Sequence, residues 1–330
     1  MEPRPFPRTP FSASVVGLGT WQLGADWGEV SEDDARAVLE VSAEEGVTFY
    51  DTADVYGDGR SEQIVGRFAA DHAGAGFTVA TKMGRREEQV SANYVEKNFR
   101  AWLDRSRRNL GVDTIDLVQL HCPPSEVIDD DATYDVLDRL VEEQVISAYG
   151  VSVETAAQAL SAIARPHVAS IQIILNAFRM KPLDEVLPAA QAAGVGIIAR
   201  VPLASGLLSG KYGLDTTFAE DDHRSYNRDG SAFDVGETFS GVDYATGVEA
   251  AQEFARLVAD SGLDVTPAQA AIAWICQQPG VTTVIPGARN TDQARSNAAA
   301  GAVGALPQSL LDGVAALYDE RIRDQVHGRW

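Results

Sequence analysis

The chain has 330 residues, 45% of them hydrophobic, and a formal net charge of −21. This length and composition permit a large buried core, built either as one big barrel or as two ordinary domains. The negative charge argues against nucleic acid and anionic membrane surfaces as partners, because both would repel it.

The amino-terminal stretch MEPRPFPRTPF is rich in proline and lacks the apolar core of a signal peptide. We expect residues 1–10 to be flexible. No apolar run further along approaches the ~20 residues of a membrane span. Two cysteines, Cys122 and Cys276, do not make a disulfide framework. Together these features predict a cytoplasmic protein.

From residue 14 onward, short apolar segments alternate with segments of helical periodicity. The first helix candidate shows the pattern well, with Ser31 as a cap, acidic residues in the first turn and Gly46 at its end. Several strand candidates are continuous apolar runs, which is typical of parallel strands buried on both faces. The strand candidates are residues 14–21, 47–52, 77–82, 114–121, 146–152, 169–175, 195–203 and 282–288. The helix candidates are residues 31–46, 61–72, 93–111, 133–144, 155–164, 183–194, 246–262, 266–278 and 291–300.

This alternation, without a break in composition, predicts one (β/α)8 TIM barrel over residues 1–330. A doubly wound sheet is the alternative. It is disfavoured because GLGTWQLG, at the first strand, has only part of the Gly-x-Gly-x-x-Gly pattern. Residues 212–244 form one long irregular segment after the seventh strand, on the face where barrel enzymes keep their chemistry, and we expect a lid there.

Polar side chains lie at the carboxyl ends of three consecutive strand candidates, where they would face the mouth of the barrel. Asp51 ends the second strand, and Tyr56 follows it in the loop. Lys82 ends the third strand and His121 the fourth. Taken singly, such residues are usually turn formers, packing residues or solvated charges. Together they suggest a tyrosine whose pKa is lowered by an ammonium, so that it can give a proton to a carbonyl oxygen.

The order DTADVYG, ATK and LVQLH closely resembles that of the aldo-keto reductases, a barrel family that reduces carbonyl compounds with NADPH. The resemblance extends from GLGTW at 17–21 to Asn297. It implies that Asp51, Tyr56, Lys82 and His121 form a catalytic tetrad with Tyr56 as the proton donor. It also implies NADPH/NADP as cofactor and a small-molecule carbonyl substrate. We expect no metal, since the histidines show no ligand spacing, and a monomer or weak oligomer.

The resemblance extends to the cofactor contacts, although less evenly. GVSV at 150–153 resembles a Gly-Val-Ser-Asn motif that binds the carboxamide, with Val153 where Asn is usual. Arg200 stands where an aromatic side chain commonly stacks on the nicotinamide. Outside this context, GARN at 287–290 would indicate only a surface turn with a helix cap. The implied contacts are Thr20, Trp21, Ser152, Gln172, Arg200, Pro202, Leu203, Ser205, Gly206, Lys211, Gly287, Arg289, Gln293 and Asn297.

Other interpretations remain open. Trp21 and Trp27 suit either the wall of a substrate mouth or core packing. A Schiff-base aldolase would need Lys82 as a neutral amine, which an adjacent Asp51 opposes. A nicotinamide-binding regulator with little turnover, as in the potassium-channel β subunits that resemble this family, is opposed by the complete tetrad. Val153 and Arg200, which replace the usual residues at their positions, favour this regulator. The sequence does not identify the physiological substrate.

Overall fold

A parallel eight-stranded sheet forms the centre of the protein. The structure is a computed structural model that describes residues 1–24 and 30–330; Trp27 lies outside the described residues. Each strand pairs with the next one along the chain. Parallel bridges Val16–Val284 and Gly19–Gly287 join the first strand to the last. The strands are Leu18–Gly19, Phe49–Asp51, Thr78–Met83, Ile115–His121, Ile146–Ser152, Ser170–Ile174, Gly196–Arg200 and Val281–Val284. The predicted barrel is confirmed, and the doubly wound alternative is wrong.

Helices separate the strands and cover the barrel. Ser31 caps the first helix by accepting a hydrogen bond from the Asp34 amide, as its sequence predicts. The helix predicted over residues 183–194 begins later, at Val186, and Pro188 falls in its first turn, where an amide hydrogen has no helical partner to lose. The α-helices are Glu32–Glu44, Arg60–Asp71, Glu96–Leu110, Ser125–Asp129, Asp131–Glu142, Ala156–Ile163, Val186–Ala193, His223–Tyr226, Tyr244–Asp260, Pro267–Cys276, Thr291–Ala299, Gln308–Leu317 and Arg323–Val326.

Shorter helical turns connect several of these elements. The 3-10 turns are Trp21–Gly24, Tyr56–Gly59, Ser91–Asn93, Lys181–Leu183, Ala204–Ser209, Val235–Glu237, Phe239–Gly241 and Ala300–Ala302, and Tyr318–Ile322 is a π-helix. Across residues 1–24 and 30–330, no helix combines the length and the hydrophobicity needed to cross a membrane.

The amino-terminal segment packs against the amino-terminal end of the barrel. Strand Pro3–Pro5 pairs with Ser12–Ser14 in an antiparallel hairpin. Phe6 is buried, and its ring lies 5.6 Å from that of Phe49. The Arg8 guanidinium donates hydrogen bonds to three backbone carbonyl oxygens at 2.8 Å, those of residues 165, 168 and 193. The sequence did not predict this hairpin; the flexibility expected for residues 1–10 stays a prediction.

Residues 212–244 lie over the carboxyl ends of the strands, where the sequence predicts a lid. Asn227 organises the segment, because its Oδ1 accepts hydrogen bonds from the amides of Ala232 and Phe233. The indole of Trp330 donates a hydrogen bond to Asp234 Oδ1 at 3.0 Å. The segment is thus fixed both by its own side chains and by a residue far along the chain.

Candidate active site

The four side chains predicted to form a tetrad converge at the carboxyl ends of the second, third and fourth barrel strands. Lys82 Nζ donates hydrogen bonds to Asp51 Oδ1 at 2.5 Å, to the carbonyl oxygen of Thr52 at 2.7 Å and to the Tyr56 hydroxyl at 3.5 Å. The His121 ring meets the Tyr56 ring edge-on, with the centroids 6.1 Å apart. The phenol of Tyr56 therefore lies between an ammonium group and an imidazole.

Two amides and an indole hold these groups in place. Asp51 Oδ2 accepts hydrogen bonds from Gln172 Nε2 at 2.8 Å and from Gln119 Nε2 at 3.2 Å. The ring of Trp21 stacks on that of Tyr56 with the centroids 6.0 Å apart. The sequence analysis missed Gln119, although a signal was available. In LVQLH, Gln119 is two residues before His121, so both side chains point to the same face of the strand.

Burial changes the pKa values of these groups. Burial raises the pKa of Tyr56 above its usual value and outweighs the opposing effect of Lys82. The sequence-based expectation of a lowered tyrosine pKa is therefore wrong for the net effect, because desolvation of the phenolate is the larger cause. Burial lowers the pKa of Lys82, but Asp51 and Tyr56 together raise it above its usual value. Burial, aided by Arg85 and Lys82, holds the pKa of His121 well below its ordinary value. At neutral pH the site thus contains a phenol, an ammonium and a neutral imidazole.

A cavity of about 760 Å³ opens above this cluster. Asp51, Tyr56 and His121 line it, while Lys82 packs behind them. The cavity wall also contains every residue that the sequence analysis implies as a cofactor contact: Thr20, Trp21, Ser152, Gln172, Arg200, Pro202, Leu203, Ser205, Gly206, Lys211, Gly287, Arg289, Gln293 and Asn297. The structure brings all of these residues together, and their contacts with a cofactor stay a prediction.

The loop after the seventh strand passes close to the cavity in an unusual backbone conformation. Val201, Ala204 and Ser205 have φ values of 55°, 47° and 55°, in the left-handed region that most side chains avoid. At Gly206, with φ of 96°, a Cβ atom would collide with the Tyr212 hydroxyl. Such strained conformations persist where the surrounding structure holds them, and they cluster at functional sites.

The far end of the cavity is built around the start of the helix Thr291–Ala299. Asn290 caps this helix by accepting a hydrogen bond from the Gln293 amide at 2.9 Å. Asn297 Nδ2 donates to the Gly287 carbonyl oxygen at 3.1 Å. The same segment therefore caps the helix and forms part of the cavity wall. A turn with a helix cap and a cofactor contact are thus compatible interpretations of GARN. Asp222 of the long loop lies 3.6 Å from Arg289, a contact that the sequence did not predict.

Comparison with known proteins agrees with this geometry. The model of the Aldo/keto reductase family matches residues 15–319. The chain belongs to the aldo/keto reductase family. An uncharacterized oxidoreductase of Mycobacterium tuberculosis is 33% identical over 303 residues, which cover 90% of this chain and 87% of that protein. An aldo-keto reductase of Schizosaccharomyces pombe, whose name specifies NADP(+), is 28% identical over 90% of this chain and 85% of that protein. The solved glycerol dehydrogenase from Gluconobacter oxydans is 29% identical, with a TM-score of 0.78, over 98% of this chain and 96% of that one.

This aldo/keto reductase also contains a largely buried cluster of two arginines and two glutamates, which we call the Arg–Glu cluster: Arg85, Glu154, Arg200 and Glu237. Arg200 lies 2.9 Å from Glu154 and 3.6 Å from Glu237, and Arg85 lies 3.1 Å from Glu237 and 3.5 Å from Glu154. The residue at the expected stacking position is thus bound in ion pairs. No recognisable motif surrounds Arg85, Glu154 or Glu237, so only the fold reveals the cluster.

The pKa values of the two carboxyl groups of the Arg–Glu cluster shift in opposite directions. Burial raises the pKa of Glu154. Burial acts in the same direction on Glu237, but Arg200 and Arg85 outweigh it and lower that pKa to about 2. Cys122, Glu154 and Glu237 bring three potential metal-ligand atoms within 4.8 Å of one another. A metal ion there would have to compete with both guanidinium groups for the carboxylates.

Proposed function

We propose that this protein reduces aldehydes or ketones to alcohols, with NADPH as the hydride source and Tyr56 as the proton donor. The observation that carries the proposal is the position of the Tyr56 hydroxyl, 3.5 Å from Lys82 Nζ and beside the His121 ring, in the wall of the cavity. Family membership supports carbonyl reduction in general, and the tetrad supplies the residues for it.

The cavity residues fit a phosphorylated dinucleotide. Lys211 and Arg289 offer two cationic side chains. The helices Pro267–Cys276 and Thr291–Ala299 both begin at the cavity wall, and amide groups at helix amino termini attract phosphate. NADPH is also consistent with the name of the Schizosaccharomyces pombe relative. When bound, NADPH supplies the hydride that the protein's own side chains cannot.

The tetrad then provides the proton and the electrostatic support. The neutral His121 donates a hydrogen bond to the carbonyl oxygen and orients it. As the carbonyl carbon accepts hydride, its oxygen becomes an alkoxide, which takes the proton of Tyr56 and so becomes the alcohol. Lys82 stabilises the phenolate that remains, and Asp51 keeps Lys82 charged and in place. A proton from water restores Tyr56.

The electrostatics disfavour the aldolase alternative. A Schiff base requires a neutral amine, which a lowered lysine pKa would provide. The net pKa of Lys82 is instead raised, because Asp51 and Tyr56 outweigh the effect of burial. A regulatory protein with little turnover is the second candidate. It is favoured by Arg200, whose guanidinium is bound to Glu154 and to the carbonyl oxygen of Val153 at 3.2 Å.

Stopped-flow mixing of the NADPH-loaded protein with 4-nitrobenzaldehyde separates the two candidates. We expect a single-turnover loss of NADPH absorbance together with formation of the alcohol. Tight NADPH binding without any oxidation by aldehydes or ketones would refute the reductase and favour the regulator. Trapping of a carbonyl adduct on Lys82 by borohydride would instead support the aldolase.

A further inference from the structure

Glu237 brings a carboxylate from the long loop into the cavity. It ends the 3-10 turn Val235–Glu237, and its side chain is only 11% exposed. Its carbonyl oxygen accepts a hydrogen bond from Ser205 Oγ at 3.2 Å, and its carboxylate lies between Arg85 and Arg200. The side chain is therefore fixed in the cavity wall, yet the reduction described above does not use it.

This carboxylate is ionised at physiological pH. The guanidinium groups of Arg200 and Arg85 outweigh the effect of burial and lower the pKa of Glu237 to about 2. Its negative charge adds to the raised pKa of Tyr56 and opposes the effect of burial, which lowers the pKa of His223 to about 4, so it acts on the tetrad and on the long loop alike. An ionised carboxylate can only accept hydrogen bonds.

The ion pairs leave part of this acceptor capacity for a ligand. Oε1 of Glu237 pairs with Arg85 and Oε2 with Arg200, and the Glu154 side chain also hydrogen-bonds to this carboxylate. A carboxylate offers about four acceptor positions, so one remains. A ligand that covers Glu237 displaces water from it. A hydroxyl group on the ligand replaces the lost hydrogen bond, a methyl group leaves the carboxylate unsatisfied, and a ligand carboxylate meets a like charge.

Aromatic rings form another part of the same region. The Trp21 ring lies 5.3 Å from the His223 ring and 6.0 Å from the rings of Tyr56 and Phe233. Such a surface suits the C–H groups of a short carbon chain, and a charged acceptor suits its hydroxyl groups. The aromatic surface and the Glu237 carboxylate together suit a small, neutral, hydroxylated ligand.

We propose that Glu237 is a substrate-specificity residue that selects neutral carbonyl compounds with a hydroxyl group beside the carbonyl. The inference rests on the proposed carbonyl reduction and concerns the same cavity. A hydrogen bond to a charged group is worth about ten- to a hundredfold in specificity. In general, an enzyme site built to hydrogen-bond a substrate hydroxyl rejects analogues that lack it, because the polar group of the site is then left unpaired.

The test compares hydroxyacetone with butanone, two ketones that differ by a hydroxyl in place of a methyl group. Because the hydroxyl also activates the carbonyl chemically, the informative quantity is how the ratio of kcat/KM values changes on mutation. In Glu237→Gln we expect the preference for hydroxyacetone to fall about tenfold. Glu154→Gln is the matched control, since it also removes a carboxyl group from the Arg–Glu cluster, but one that does not line the cavity. In Glu154→Gln the ratio of the two kcat/KM values should stay unchanged.

An unchanged ratio in Glu237→Gln, or an equal fall in Glu154→Gln, would overturn the inference. Reduction of 4-nitrobenzaldehyde by the same preparations tests the proposed function separately. If that aldehyde is reduced and the ratio does not move, only the role of Glu237 fails. If no carbonyl compound oxidises NADPH, the proposed function fails, and the ratio of the dissociation constants of the two ketones then decides the role of Glu237.

Discussion

At the level of single residues, we predict that Arg289 distinguishes NADPH from NADH. Its side chain is 37% exposed and lies 3.6 Å from Asp222. Asp222 has a closer partner in Arg224, which donates to it from both its amide and its side chain. A guanidinium can form a forked, charge-assisted contact with a 2′-phosphate, whereas it gains little from a free ribose hydroxyl. We therefore expect NADPH to be preferred.

Arg289→Ala should weaken NADPH binding by about ten- to a hundredfold and leave NADH binding almost unchanged. Fluorescence titration of both cofactors measures this. Added salt should reduce the effect, because part of the attraction is screened. Arg295→Ala is the control, as it removes a neighbouring cation that pairs with Glu45 instead. Equal dissociation constants for NADPH and NADH in the wild-type protein would contradict the assignment.

At the scale of elements, the long loop is held over the cavity at both ends. Glu237 belongs to the Arg–Glu cluster, and Asp222 lies beside Arg289. Between these points the segment consists of short turns, and its carboxylates contact residues implied in cofactor binding. We predict that this segment acts as a lid that opens and closes over the cavity while the barrel stays in place.

We predict that NADPH protects residues 212–244 from hydrogen exchange, because bound cofactor orders the lid. Mass spectrometry of the exchanged protein, with and without NADPH, provides the measurement. The helix Gln308–Leu317 serves as an internal reference, since it lies outside the cavity wall. Identical exchange of residues 212–244 in both states would make the segment an ordinary surface loop.

Periodicity in the sequence predicts most of these elements. Apolar runs such as SIQII are buried at every residue in the barrel, as expected for strands covered on both faces. The sequence could predict the tetrad because its residues follow the strand ends, and the cofactor contacts because their motifs resemble those of the aldo-keto reductases. The Arg–Glu cluster could not be predicted from the sequence, because Arg85 and Glu237 are 152 positions apart and meet only in the folded protein. The hairpin of Pro3–Pro5 was hidden by its prolines, which usually interrupt strands.

The stability of the whole molecule depends on a carboxyl group buried in its core. Asp54 lies within DTADVYG and is fully buried, and neither of its carboxylate oxygens has a hydrogen-bond partner among residues 1–24 and 30–330. Burial, reinforced by Glu62, raises its pKa to about 7, despite the opposing effects of Arg86, Arg105 and Lys82. The folded state therefore binds a proton more tightly than the unfolded state, where the pKa of aspartate is about 3.9.

This difference makes the free energy of unfolding depend on pH. The stabilisation by a protonated Asp54 is complete below pH ~4 and is lost as the pH rises through about 7. Asp54→Asn cannot ionise, so the wild type should lose on the order of 3 kcal/mol relative to this variant between about pH 5 and pH 8. Urea denaturation at the two pH values measures the difference, with Asp113→Asn as an exposed control. A difference between the variants that does not vary with pH would mean that Asp54 does not titrate in this range.

In the proposed reaction Tyr56 gives the proton to the carbonyl oxygen, and the decisive experiment is the variant Tyr56→Phe. The substitution removes one hydroxyl group and keeps the ring that stacks on Trp21. We expect carbonyl reduction to fall by at least ~100-fold, the low end for loss of a general acid, with NADPH affinity almost unchanged. Tyr212→Phe, which removes another phenol from the cavity wall, should retain most of the activity. Near-normal turnover in Tyr56→Phe with intact NADPH binding would show that Tyr56 is not the proton donor.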